Sequence, residues 1–300
     1  HWSYDSSSDT WSQSGSPIGT FNGRYARVKV APEDRQGIVQ QNADKVRFSF
    51  IPYASEYNST AREGIIKHGA HEQDLSNLIG AMETTVPYQG THTGEALREA
   101  YYYLTQSSNA ASYNSDYIDS GTATDPYYEQ KDDGSVEPAW CRRSFAVLIS
   151  DGEWCGGSDS GCIDPDSWAH QLHTEDLRGD NTLFPGDQHA DVYSLFTFSD
   201  NQAGIQSMKT VAAFGSYEEI DNCGASTPYT FDVANDSRNA SYPRSNCDPG
   251  NTYQDCCEEW DKEDGDGVPD AFYDARDGEE MVAGLTEIFN EIRQGTSSGT

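Results

Sequence analysis

The chain has 300 residues, and its 19 lysines and arginines against 50 aspartates and glutamates give a formal net charge of −31 at pH 7. This charge excludes a nucleic-acid-binding domain, because a polyanion would be repelled, and argues against docking on anionic lipid. No apolar run reaches the roughly 18 residues that a membrane span needs. The excess of carboxylates instead fits divalent cations, cationic partners or a salty habitat.

Helical and strand patterns alternate along the chain. Residues 1–23 are rich in Ser, Gly and Trp and are predicted to be irregular. Apolar residues at helical spacing predict helices, and short β-rich apolar runs predict strands. In chain order the predictions are a helix over 25–41, strands over 45–53 and 65–66, helices over 74–83 and 94–104, strands over 144–150 and 191–198, a helix over 205–214, an edge strand over 271–274 and a helix over 279–293.

Two of these runs indicate how the sheet is built. Residues 144–150 (SFAVLIS) are continuously apolar rather than alternating, as is typical of a strand buried on both faces of a parallel sheet, and 191–198 (DVYSLFTF) is similar. The alternation predicts an α/β fold with a mostly parallel central sheet flanked by helices. The predicted domain covers residues 24–294, with insertions at about 106–139, 152–190 and 215–262, and a linker follows over 295–300.

The cysteines point to an oxidising compartment. Most lie in loop-like stretches, and none forms a Cys-x-x-Cys metal or haem pattern. Cys155 and Cys162 bracket a short Gly/Ser-rich loop that is predicted to be closed by a disulfide. Because the number of cysteines is odd, one thiol is free or its partner lies off this chain. The seven are Cys141, Cys155, Cys162, Cys223, Cys247, Cys256 and Cys257.

Two stretches carry candidate chemistry at the carboxyl ends of strands, where ligands bind in parallel sheets. Asp151 leaves the buried run 144–150 and is followed by Gly152, which permits a sharp turn. Thr91 belongs to a hydroxyl-bearing loop that runs into a helix N-terminus. Taken singly, the threonine suits a helix cap and the aspartate suits a turn.

Together, GTHTGEAL over 90–97 and FAVLISDGE over 145–153 resemble two motifs of the von Willebrand factor type A domain. The resemblance implies a metal-ion-dependent adhesion site in which Thr91 and Asp151 hold Mg²⁺ or Mn²⁺. Hard cations of this kind prefer six oxygen ligands and keep some waters. Such an ion can take a carboxylate from a partner as its last ligand.

The family's first motif, Asp-x-Ser-x-Ser, has only a degenerate counterpart here. Asp5 and Ser7 have the right spacing, but Asp9 replaces the second serine and too few residues precede them for a strand. Asp5 and Ser7 are therefore one interpretation of the missing ligands. The favoured interpretation is that the first strand and its motif lie before His1.

A second acidic stretch suits calcium. Asp264, Asp266 and Asp270 alternate around Gly267 in the manner of a calcium loop. The loop is incomplete, because Lys262 stands at the expected first ligand position and Tyr273 at the twelfth. A Ca²⁺ site and a solvated acidic turn both remain open at this point.

The same region resembles a narrower family. The run EWDKEDGDGVPDAFYDA over 259–275, followed by a helix ending IFNEI, is similar to type IV pilus tip-associated proteins of the PilY/PilC group. The resemblance implies an extracellular location at the pilus tip or cell surface. It also implies partners such as pilin, other tip proteins, or a host or surface ligand that bears a carboxylate.

The sequence therefore predicts a metal-dependent adhesion or assembly module rather than an enzyme. The alternative is a metal-independent structural cap or mechanical element of a surface filament, with a degenerate adhesion site. A third hypothesis is a metal-dependent hydrolase that uses the i, i+3 pair His170 and His173. Both this pair and the similar pair His68 and His71 are interpreted as surface or loop histidines, because neither has a glutamate at the zincin position and both lie in polar stretches.

Overall fold

The computed structural model describes residues 2–5, 10–13, 37–53, 64–70, 75–85, 90–118, 121–131, 133–152, 154, 162–179, 182–218, 260–262 and 268–297. The chain divides into two compact units, His1–Asp44 and Lys45–Thr300. The elements are β1 (Trp2–Asp5), β2 (Thr10–Gln13), α1 (Ile38–Asn42), α2 (Leu75–Thr84), α3 (Thr93–Thr105), β3 (Tyr128–Gln130), β4 (Val136–Pro138), β5 (Ser144–Ser150), α4 (Pro165–Thr174), β6 (Ala190–Thr197), α5 (Gln202–Gly215), β7 (Phe272–Ala275) and α6 (Gly278–Ser297), with a 3-10 turn at Ser112–Asn114.

The first unit contains an antiparallel hairpin. β1 and β2 pair so that Trp2 faces Gln13 and Asp5 faces Thr10. The prediction of an irregular segment over 1–23 is wrong for these two strands, because Trp, Tyr and Thr favour extended backbone. Of the helix predicted over 25–41, the described residues contain α1, while 25–36 lie outside them.

The strand predicted over 45–53 is not a regular strand. The backbone here pairs with residues 65–68 through an isolated antiparallel bridge between Phe50 and His68. The Phe50 amide donates to the His68 carbonyl at 2.9 Å, and the Ile65 amide donates to the Pro52 carbonyl at 3.0 Å. The ladder stays short because Pro52 has no amide hydrogen to donate.

The central sheet has three parallel strands in the order β5–β6–β7. Ser144 pairs with Ala190 and Ser150 with Phe196, so the carboxyl ends of β5 and β6 lie side by side. β6 is the middle strand and is almost wholly buried, whereas β5 is mostly half-buried. The prediction of burial on both faces thus fits β6 better than β5. The α/β fold with a parallel sheet is confirmed.

Helices cover both faces of this sheet. Ser194 donates its hydroxyl to the Met208 carbonyl of α5 at 2.7 Å. The neighbouring Leu195 points to the other face, where its Cδ1 is 3.3 Å from an ideal Cβ on Gly284 of α6. Because successive side chains of a strand alternate between faces, α5 and α6 lie on opposite sides of β6.

The predicted insertions contain ordered elements. The segment 106–139 carries the hairpin β3–β4, whose strands pair between Tyr128 and Pro138. The segment 152–190 carries α4, which the apolar periodicity of the sequence does not predict. The sequence does carry signals for the start of this helix. Asp164 is its capping residue and accepts a hydrogen bond from the Asp166 amide at 3.0 Å, and Pro165 occupies the first turn. Arg178 and Asp125 form an ion pair that ties the two insertions together.

The last helix runs further than predicted. α6 continues to Ser297, into the segment expected to be a linker. Adding a residue to a helix that has already formed costs little free energy, so the helix continues beyond the end of its apolar face. Among the described helices, none combines the length and apolarity needed to cross a bilayer.

Candidate metal-binding edge of the sheet

The turn after β5 positions Asp151 at the edge of the sheet. Ser150 is buried, and the Gly152 amide donates to its hydroxyl at 3.4 Å. From β6, the Thr197 hydroxyl donates to the Ser150 carbonyl at 3.4 Å. The strand end is thus held in place, while Asp151 itself is exposed.

Thr91 approaches the same turn from the other side. It precedes α3, after a glycine at φ +55°. An ideal Cβ built on Gly152 would lie 3.1 Å from Thr91 Oγ1. The Thr91 hydroxyl therefore lies against the residue that follows Asp151, although 60 positions separate Thr91 from Asp151 in the sequence.

The start of α3 is clamped to the chain that leads into α4. An ideal Cβ on Gly94 would lie only 2.0 Å from the Ile163 carbonyl oxygen, so only glycine fits there. The Ile163 amide donates to Glu95 Oε1 at 3.3 Å. This close approach fixes the loop that carries Thr91.

Tyr53 lies next to the site, and the sequence patterns do not predict this position. Its hydroxyl donates to the Ile149 carbonyl at 2.9 Å. Burial raises the pKa of Tyr53 to about 12; the hydrogen bond with Ser150 lowers it, and the negative charge of Asp151 adds a smaller rise. At neutral pH Tyr53 therefore remains a neutral hydrogen-bond donor beside Asp151.

The donor set at this edge suits a hard cation. A threonine hydroxyl and an exposed carboxylate are oxygen ligands of the kind that Mg²⁺, Mn²⁺ and Ca²⁺ accept. Of the predicted adhesion-site ligands, Thr91 and Asp151 are the two that lie in the described part of the second unit. Two protein ligands would leave most of an octahedral shell to water or a partner.

The other predicted ligands lie in the first unit, outside the described residues or in a separate turn. Asp5 ends β1 in the first unit, where it pairs with Thr10, and Ser7 lies outside the described residues. Asp264 and Asp266 of the calcium loop also lie outside them. The Asp270 carboxylate accepts a hydrogen bond from the Lys262 amide at 2.9 Å, which is the role of a turn residue.

The histidines of the hydrolase hypothesis are engaged in structural contacts. His173 Nδ1 lies 3.0 Å from Asp191 Oδ1, and its Nε2 lies 2.7 Å from the Tyr217 carbonyl oxygen. His170 stacks on the Tyr217 ring. Burial lowers the pKa of His170, and the neighbouring His173 lowers it further. Since both ring nitrogens of His173 are occupied, a metal would have to displace one of these contacts.

A further group of side chains, not predicted from the sequence, surrounds the start of α3. His92 Nδ1 lies 3.4 Å from Cys162 Sγ and 3.5 Å from Glu95 Oε1. Cys162 is in a disulfide, whereas Cys141 is a free, exposed thiol. Since Cys141 and Cys162 are the cysteines in the described part of the chain, the partner of Cys162 lies outside it. The i, i+3 spacing of His92 and Glu95 was the available signal.

A hollow among the described residues lies away from the candidate edge. A cavity of about 190 Å³ lies at the opposite end of the strands, and Cys141, Arg143 and His189 are among its lining residues. Thr91 and Asp151 do not line it.

No protein-family model, curated protein or solved structure matches the chain. The function of the chain is therefore inferred from the chemistry of the sheet edge.

Proposed function

We propose that this chain is an extracellular adhesion or assembly module that binds a carboxylate of its partner through a divalent cation. The cation is held at the carboxyl edge of the sheet by Thr91 and Asp151. The observation that carries the proposal is the approach of Thr91 Oγ1 to within 3.1 Å of the Cβ position at Gly152, next to Asp151. No catalytic step is part of the proposed function.

The chemistry follows from the number and type of ligands. Mg²⁺ and Mn²⁺ accept six oxygens and retain water readily. A neutral hydroxyl and a single carboxylate neutralise only part of the ion's charge. A partner's carboxylate can then replace a water, and its negative charge is attracted to the remaining positive charge. Chelation of the ion removes this attraction, so adhesion becomes sensitive to EDTA.

The proposed fold family is the von Willebrand factor type A domain, and the proposed location is the tip of a type IV pilus or the cell surface. A parallel three-stranded sheet between helices is compatible with that family. The motif 259–275, on which the pilus resemblance depends, leads into β7 and α6. The proposed partners are pilin, other tip proteins or a surface ligand with a carboxylate.

The alternative function is a metal-independent structural cap of a surface filament. One observation favours it: the described part of the edge supplies two predicted oxygen ligands, whereas Mg²⁺ takes six. In that case Thr91 only packs against the turn at Gly152, and Asp151 is a turn residue.

Mn²⁺ binding to purified protein, measured by isothermal titration in about 0.15 M salt to screen diffuse attraction, tests the proposal. We expect Thr91→Val and Asp151→Asn each to weaken the tightest site about tenfold or more, equivalent to ~1.4 kcal/mol. Thr91→Ser keeps the hydroxyl and should bind as the parent does.

Asp187→Asn is the matched control, because it removes an exposed carboxylate at the opposite end of the strands. If it weakens Mn²⁺ binding as much as Asp151→Asn does, the ion is held by net charge and the proposal fails. Filament assembly that persists in EDTA and in both site variants would support the structural cap instead.

A further inference from the structure

The side chains of His92, Glu95 and Cys162 converge in the interior beside the start of α3. One ligand atom from each lies within 4.8 Å of the other two. His92 and Glu95 are 3% and 4% exposed, so solvent does not compete for these atoms. Histidine nitrogen, carboxylate oxygen and cysteine sulfur are the ligand types that Zn²⁺ binds in proteins.

The distances fit a single small ion. Around a tetrahedral Zn²⁺ with bonds of about 2.0–2.3 Å, neighbouring ligand atoms lie about 3.3–3.6 Å apart. The separations from His92 Nδ1 are 3.4 Å to Cys162 Sγ and 3.5 Å to Glu95 Oε1. Three protein ligands leave the fourth position to a water molecule.

Two polar atoms here lack a partner. Among the described residues, neither Glu95 Oε2 nor Thr93 Oγ1 has a hydrogen-bond partner, and both atoms are buried. Leaving a carboxylate oxygen buried without a partner costs free energy. A cation bound through this oxygen, or by both oxygens of Glu95, would remove that cost. The unpartnered oxygen is therefore an independent indication of a ligand at this position.

The oxidised protein lacks the thiolate that such a site needs. Cys162 is in a disulfide, and Zn²⁺ binds the deprotonated thiol. We propose that Cys162, once reduced, forms a Zn²⁺ site with His92 and Glu95. This corner of the molecule then holds either a disulfide or a zinc ion. The ligand set shares no residue with the proposed adhesion site.

The exchange balances with a dithiol reductant. One reductant thiolate attacks the sulfur bonded to Cys162 and expels the Cys162 thiolate. The second reductant thiol resolves the mixed disulfide, so the reductant leaves as its own disulfide and the former partner of Cys162 becomes a thiol. Zn²⁺ then binds the Cys162 sulfur, and any proton on it is released to solvent.

Cobalt spectroscopy tests the site with the metal alone. The protein, with Cys141→Ser to remove the free thiol, is titrated with Co²⁺ before and after reduction by a phosphine, and circular dichroism checks that the fold survives. We expect sulfur-to-cobalt charge transfer and intense tetrahedral bands only after reduction. The titration of these bands gives the Co²⁺ affinity of the site. We expect His92→Gln and Glu95→Gln each to lower this affinity by about tenfold, whereas His189→Gln should leave it unchanged.

A second variant covers the case in which reduction unfolds the chain. Cys162→His supplies a neutral nitrogen ligand without any reductant. The unreduced Cys162→His protein should bind Zn²⁺, and adding His92→Gln should abolish this binding. Equal Co²⁺ spectra for the reduced parent, His92→Gln and Glu95→Gln would overturn the proposal. So would a folded Cys162→His protein whose Zn²⁺ binding does not depend on His92.

Discussion

Single residues decide whether the loop that carries Thr91 can lie where it does. At Gly94 the backbone of α3 touches the backbone of the segment before α4, and a Cβ would meet both Ile163 O and Pro165 N. At Gly80 in α2, by contrast, a Cβ would meet no atom within 4 Å. Both glycines lie within helices, and their roles differ because of what packs on them.

This difference predicts opposite effects of one substitution. Gly94→Ala should destabilise the protein by about 3 kcal/mol, because backbone atoms cannot move aside as a flexible side chain can. Gly80→Ala should stabilise it by up to about 1 kcal/mol, because alanine favours the helix. Urea unfolding measures both. Equal effects of the two substitutions would contradict the close packing at Gly94.

At the scale of elements, Asp191 joins the starts of two strands to α4. Its carboxylate contacts His173 of α4 at 3.0 Å and Arg143, which precedes β5, at 3.1 Å. Burial alone would raise the pKa of Asp191. The hydrogen bond and charge of His173, with the charges of His189 and Arg143, outweigh burial and hold that pKa below its usual value.

A lowered pKa makes this contact sensitive to acid. The ionised carboxylate contributes stability that is fully present above the unfolded value, near 4, and is lost as the pH falls through the lower folded pKa. Asp191→Asn should cost about 1–3 kcal/mol at pH 7. Between about pH 5 and pH 3, the free energy of unfolding should fall less steeply in this variant than in the parent. Parallel curves for the two proteins, measured by urea unfolding, would show that Asp191 is not the linked group.

At the scale of the whole molecule, self-repulsion is the dominant electrostatic feature. A formal charge of −31 is spread over 300 residues. Unpaired like charges favour expanded states, and salt weakens their repulsion. The screening length falls from about 30 Å at 0.01 M salt to about 8 Å at 0.15 M.

The protein should therefore become more stable as salt is added. We expect the urea midpoint to rise over that range with NaCl and equally with choline chloride, since screening depends on ionic strength and not on the cation. A rise with NaCl alone would indicate a specific sodium site. A midpoint that does not change would refute the importance of self-repulsion and, with it, the adaptation to a salty habitat.

Local patterns in the sequence were enough to predict the sheet class and most of its elements. The run 144–150 coincides with β5, and the predictions over 191–198 and 271–274 differ from β6 and β7 by one residue at each end. These succeeded because apolar periodicity is a local property of the chain. The antiparallel hairpin β1–β2 was not predicted, because it lies in a polar stretch. Helix α4 was not predicted either, because its signals are the capping residue Asp164 and Pro165 in its first turn rather than apolar periodicity.

The sequence by itself determined the α/β class, the large negative charge and the residue types that suit a cation. Only the tertiary structure decided which of those residues meet. It brought Thr91 to the turn after β5, kept Asp270 in a turn of its own, and grouped His92 and Glu95 with Cys162. The physical reason is that contacts between residues distant in sequence depend on how the helices pack against the sheet and against each other. The absence of a Cβ at Gly94 is one example. No local sequence pattern carries that information.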